Sequence, residues 1–195
     1  MTCLLYTSAT VNQDEEELNA PTDDGLPHDK LFITPERQKY EDGQLTLKIP
    51  KLDIECAIQN GTSLEKLKGG PGLFDYAQLP GKGNRNVIIA GHRDRPFFDI
   101  DKLEEGDYLY LVYENQIFKY RYLDTTIVEP DDWGPIYSQG FSCLTLVSCE
   151  PWDTATHRII IRSRLAAIEE WTQEYSYPEN QKIESSQNQN EVIGK

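Results

Sequence analysis

An all-β fold, a single barrel or sandwich of seven or eight short strands with short helices, is what this 195-residue chain predicts. Three observations predict it. Short apolar runs, some alternating with period two, follow one another from Leu45 to Leu165. Gly, Pro, Asn and Asp separate them as turns do. The charge is also unevenly placed. Residues 1–40 carry 8 acids and 3 bases, residues 166–195 carry 6 and 2, and residues 41–165 carry 19 and 14. Most of the net charge of −14 therefore lies in the two tails, and the middle is the folded unit.

Taken in order, residues 1–40 read as a linker or loosely docked arm, residues 41–166 as one domain, and residues 167–195 as a short helix and disordered tail. Leu45–Ile49 alternates and stops at Pro50, and Ile54–Ile58 is a second strand. Ser63–Leu67 reads as a helical turn closed by Gly69-Gly70-Pro71-Gly72. Asn86–Ala90 is a continuous apolar strand ending at Gly91-His92, and Phe97–Leu103 is another helical turn. Tyr108–Tyr113 and Gln116–Leu123 flank Glu114-Asn115 as a hairpin, and Thr125–Val128 is a further strand. Ser142–Ser148 and Arg158–Leu165 are the strongest strands, and Ala166–Glu174 is helix-compatible.

The acid excess (33 acids against 19 bases) argues against non-specific binding to nucleic acid or an anionic membrane, both of which need clustered Lys and Arg. No stretch approaches the ~20 apolar residues needed to cross a bilayer. Cys3–Ser8 looks like a translated sequencing adapter, which implies that the native N-terminus, with any membrane anchor, precedes what is read here. Four cysteines are too few for a disulfide scaffold, and the three histidines lack zinc-finger spacing. On one extended strand Cys143 and Cys149 lie ~20 Å apart, against the ~7 Å a disulfide needs. Cys149 then reads as a free thiol.

A catalytic thiol needs a neighbouring His or a positive field, and acyl chemistry needs a donor for the developing oxyanion. Three polar residues sit at strand ends where a scaffold can present them: His92, Cys149 and Arg158. Each alone has a plainer reading, as turn residue, small buried apolar residue and solvated charge. Spacing does not bring the three together.

Here the sequence resembles a family. Thr145-Leu146-Val147-Ser148-Cys149 looks like the Thr-Leu-x-Thr-Cys signature of the sortases, the cysteine transpeptidases of Gram-positive cell surfaces. Asn86–Arg93 is similar to their histidine segment, and Thr156–Arg162 to their arginine strand. Ile49–Leu52, Gly69–Gly72 and Asp101–Asp107 agree, and the order His, Cys, Arg is kept. Ser148 stands where the signature has Thr, keeping the hydroxyl and losing a methyl.

The resemblance implies a closed sortase-type β-barrel of about eight strands, with a groove where the strands of Cys149 and Arg158 end. It implies that Cys149 attacks the Thr-Gly carbonyl of a Leu-Pro-x-Thr-Gly-like sorting signal, that Arg158 binds the oxyanion, and that His92 moves the proton between amines. The partners implied are surface proteins carrying that signal and an amine of a cell-wall precursor or a pilin lysine, with the catalytic domain outside the membrane. Alternation gives Arg158, Arg162 and Arg164 one face. The family's arginine opens this strand, which selects Arg158, since Arg162 would lie ~13 Å further along. His157 reads as a loop residue.

His157-Arg158 and Phe98–Leu103 lean towards the pilin-polymerising class C, whereas the lack of Asp-Pro in residues 9–44 and the hydrophilic C-terminus favour a housekeeping or class D-like enzyme. Pro27–Tyr40 remains a candidate lid of another kind. No cofactor or metal is expected. Glu104, Glu105 and Asp107 would be the place for Ca²⁺, as in some class A sortases, against the plainer reading of a solvated turn. A non-catalytic β-barrel surface module is the contrasting reading. An L,D-transpeptidase or papain-like protease is a further one, although the first wants Ser-x-Gly-Cys before its nucleophile.

Overall fold

Alternation decides the first strand. β1 (Thr46–Ile49) buries Leu47 and Ile49 and leaves Thr46 and Lys48 half-exposed. Pro50 cannot continue the ladder and opens a 3-10 turn over Pro50–Leu52, closed by Asp53 in the left-handed region (φ 54°). The chain returns antiparallel as β2 (Ile54–Ala57), with Ile54 opposite Ile49. The computed structural model of the chain describes residues 13–20, 30–151, 153–172, 174, 175 and 177.

After β3 (Gln59–Asn60) comes a short helix, here α3 (Leu64–Gly69), capped by the Ser63 hydroxyl accepting from the Lys66 N–H. Next are β4 (Gly72–Leu73), β5 (Asn86–Ala90), β6 (Tyr108–Tyr113), β7 (Gln116–Val128), β8 (Cys143–Glu150) and β9 (His157–Glu170). Two earlier helices, α1 (Gln13–Asn19) and α2 (Pro35–Gln38), precede β1. A Cβ at Gly72 would run into the Gly61 carbonyl, so the close β3–β4 pairing requires glycine there.

The strands order as β2-β1-β6-β7-β9-β8-β5-β4-β3. Only Ile58 separates β2 from β3, so the two ends of that order are neighbours in the chain. Ile58 N–H donates to Leu45 C=O (2.8 Å), and Gln59 N–H to Pro71 C=O (2.8 Å). One extended segment thus serves both edges and closes the sheet into a barrel, which removes the free edges an open sheet exposes. Leu47, Ile49, Leu73, Val87, Ile89, Leu109, Leu111, Leu144, Leu146, Ile159 and Ile161 are among the side chains that fill it.

Among the described residues there are nine strands: two of the eight expected runs merge into β7, and the two-residue β3 and β4, which carry no strand signal of their own, are added. Gln116–Leu123 and Thr125–Val128 are one strand. Tyr122 pairs with Ser163 and Asp124 with Arg162, so Leu123 is a bulge that breaks the sequence pattern but not the ladder. Ala166–Glu174 is not helical as far as Glu170: Ala167, Ile168, Glu169 and Glu170 pair with Lys119, Phe118, Ile117 and Gln116. Sheet pairing overrides the helix propensity of Ala and Glu.

Of residues 1–40, expected to be a linker or loosely docked arm, the described parts are docked. Asn19 Nδ2 donates to Leu165 C=O (2.8 Å), its Oδ1 accepts from Ser142 N–H (3.1 Å), and Arg121 pairs with Glu15 (2.8 Å). Arg37 is 3% exposed and donates to Phe74 C=O, Leu73 C=O and Asn60 Oδ1. Cys3–Ser8 and the chain beyond Tyr177 lie outside the described residues. No helix among the described residues is long and apolar enough to cross a membrane.

Candidate active site

β5 and β8 are parallel, so both end at the same rim of the barrel; β9 is antiparallel to β8, so it begins there. This topology brings the three separated residues together. Cys149 and Arg158 are direct cross-strand partners. The β5–β8 ladder ends with Ala90 level with Val147, two residues before His92 on one strand and two before Cys149 on the other. Two hydrogen bonds hold the extension in place: Gly91 N–H to Val147 C=O (3.1 Å) and Ser148 Oγ to Gly91 C=O (2.8 Å). The Ser148 hydroxyl therefore does what the signature's Thr hydroxyl can do. A Cβ on Gly91 would lie 2.7 Å from the buried Phe97 ring, so only glycine fits before the histidine.

Alternation sends Leu146 and Ile161 into the core and Val147, Cys149, Arg158 and Ile160 to the outer face. His92, Cys149 and Arg158 are all half-buried, reachable yet supported. Burial pushes Cys143 and Cys56 up to about 11, which keeps both protonated at neutral pH. Cys143, Cys149 and Cys56 are free thiols.

The three β9 arginines part company. Arg158 Nη1 donates to the carbonyls of Ala155 (3.1 Å) and His157 (2.8 Å), and among the described residues no carboxylate pairs with it. Arg162 is tied to Asp124 (3.0 Å) and Gln139 (3.2 Å). Arg164 lies over the Phe141 ring at 4.9 Å. Of the three, Arg158 is the one that stands opposite the thiol across the ladder. His157, expected in a loop, instead opens β9 opposite Glu150; its Nε2 lies 3.4 Å from Glu129 Oε1 and its Nδ1 2.9 Å from the Thr156 hydroxyl.

Residues 47–166 match the family model of the sortase domain. The chain belongs to the sortase family. It is 35% identical over 117 residues to sortase D of Bacillus subtilis, covering 58% of this chain and 59% of that protein. Sortase C of Streptococcus pneumoniae, whose structure was solved with pilin substrate specificity in view, superposes with a TM-score of 0.61 at 32% identity, over 66% of this chain and 68% of that one. Sortase C-3 of the same organism gives 0.64 at 28% identity, over 75% and 72%. The chain spans about three fifths of the length of sortase D.

Next to Arg158, this sortase domain opens a groove of about 160 Å³. Val147 and Ile160 form its floor, Arg158 borders it, and Trp133, Pro135 and Ile136 from the β7–β8 connection stand over it. Sequence reading found no element in that connection. The connection carries a Trp among Pro130, Gly134 and Pro135, and in the structure Trp133 is 49% accessible. None of residues 30–40 lines this groove; Lys30–Phe32 lie beside Ile136 and Tyr137. Asn86 fixes the connection by donating to the carbonyls of Pro135 (2.9 Å) and Tyr137 (3.0 Å). At the acidic turn, Lys51 Nζ lies 2.8 Å from Glu104 and 2.7 Å from Asp107, an ammonium between the carboxylates considered for Ca²⁺.

Proposed function

We propose that this domain is a cysteine transpeptidase acting on surface proteins at the outer face of the cell membrane. In this reading the Cys149 thiolate attacks the Thr-Gly carbonyl of a Leu-Pro-x-Thr-Gly-like sorting signal. Arg158 donates hydrogen bonds to the tetrahedral oxyanion, a role that suits a guanidinium because it stays charged and offers several donors. His92 protonates the departing amine and deprotonates the incoming one. A thioacyl-enzyme links the halves, and an amine of a cell-wall precursor releases it. The observation that carries the reading is the direct cross-strand pairing of Cys149 with an arginine that no carboxylate neutralises among the described residues.

The test is incubation with Leu-Pro-x-Thr-Gly peptides and candidate amines, with products read by mass spectrometry. The expected result is a product joined at Thr, absent with Cys149→Ala. Intact peptide with every signal variant and amine would leave the non-catalytic surface module as the better reading. Likeness to sortase C of Streptococcus pneumoniae favours one alternative acceptor, a pilin lysine. Faster release by a pilin-lysine peptide than by a cell-wall amine would select it.

A further inference from the structure

Arg93 follows the histidine and lines no part of the groove, yet it is 8% exposed. A guanidinium is costly to bury unless it is paired on several sides. Its partners are specific. Nε lies 3.4 Å from Glu150 Oε2, Nη1 donates to Phe97 C=O (2.9 Å), and Nη2 lies 2.8 Å from Asp101 Oδ1. Glu150 is the residue after Cys149. Phe97 returns its own N–H to the His92 carbonyl (3.2 Å), and Asp101 belongs to the 3-10 turn whose Ile100 is buried in the core. One side chain thus joins the segment that carries the imidazole to the end of the strand that carries the sulfur.

We propose that Arg93 is a positioning residue of the transpeptidation, acting through His92: it locks residues 92–101 onto Glu150 and so fixes the imidazole relative to Cys149. This rests on His92 moving the proton. A general acid must stand within hydrogen-bond reach of the atom it serves, and a misplacement of ~1 Å costs about 10²-fold. Arg93 touches neither groove nor thiol, so its loss falls on kcat and leaves KM unchanged.

The experiment is a double-mutant cycle in the whole domain, read as transpeptidation of a Leu-Pro-x-Thr-Gly peptide. Because His92→Ala leaves little turnover, it is read in parallel as the rate at which iodoacetamide labels Cys149. Arg93→Ala is expected to lower kcat by ~10–10²-fold, with Arg93→Lys intermediate, because an ammonium keeps one partner where the fork held three. In a His92→Ala background the same change is expected to have no further effect. Glu150→Gln leaves Arg93 bonded to Phe97 and Asp101 and carries the same test if Arg93→Ala fails to fold. An equal loss in both backgrounds, or a loss confined to KM, would overturn the proposal. Wild-type turnover of His92→Ala would instead remove the catalytic role assigned to His92, on which the proposal stands.

Discussion

Arg158 and Arg162 share a strand and a face but not a surrounding. Arg162 spends its guanidinium on Asp124 and Gln139, whereas Arg158 is held by two backbone carbonyls and borders the groove beside its strand partner Cys149. The two alanine substitutions should therefore differ in kind. Arg158→Ala is expected to lower kcat by ~10²–10³, the cost of one oxyanion donor. Arg162→Ala is expected to cost no more than ~1 kcal/mol of stability, since the partly exposed pair with Asp124 is worth little, and to leave turnover near wild type. Steady-state kinetics on both variants checks this; comparable losses would mean that the wrong guanidinium has been assigned.

At the scale of elements, what the sequence made legible was alternation, and what it hid was anything decided across the sheet. β1, β5 and the β6–β7 hairpin were readable, the last because Glu114 and Asn115 both take the left-handed conformation of a type I′ turn (φ 45° and 65°). The bulge at Leu123 and the passage of β9 through Ala167–Glu170 were not, because each is fixed by a partner strand rather than by its own residues. The docking of α2 was hidden in the same way. Thr34 caps it by accepting from Arg37 N–H (3.1 Å), a local signal, but Arg37 then reaches the carbonyls of Phe74 and Leu73, 36 or more residues away. Removing that guanidinium orphans buried acceptors at about 1–3 kcal/mol each. Arg37→Met is expected to destabilise the fold by about 2–4 kcal/mol. Lys68→Ala, which breaks the exposed pair with Glu65, should change it by less than about 0.5 kcal/mol. Urea midpoints at constant slope give both numbers, and an equal, small effect would show that the segment before β1 is not part of the barrel's support.

For the molecule as a whole, three residues far apart in sequence became one rim because β5 and β8 run parallel and β9 runs back; the order His, Cys, Arg implied this only through the family resemblance. The same packing that leaves Cys149 half-exposed sets the molecule's response to alkali. Burial holds the Cys143 and Cys56 thiols up to about 11, while in an unfolded chain a thiol ionises near pH 8.5. Between those values the unfolded chain has given up protons that the fold retains. Stability is thus intact below about pH 8.5 and falls as pH rises towards 11, by about 1.4 kcal/mol per pH unit for a fully buried thiol. Tyr40, which burial pushes up to about 12, extends the decline above pH 10. A net charge of −14 supplies a competing cause, since self-repulsion also grows as lysines discharge. Salt separates the two: at 1 M the Debye length is ~3 Å, which screens repulsion between surface charges but not the ionisation of a buried sulfur. Urea stability measured from pH 7 to 10.5 in 1 M salt should keep its downward slope, and Cys143→Ala should lose about one proton's worth of it. A slope that salt abolishes, or that Cys143→Ala leaves intact, would assign the alkaline weakness to surface charge instead.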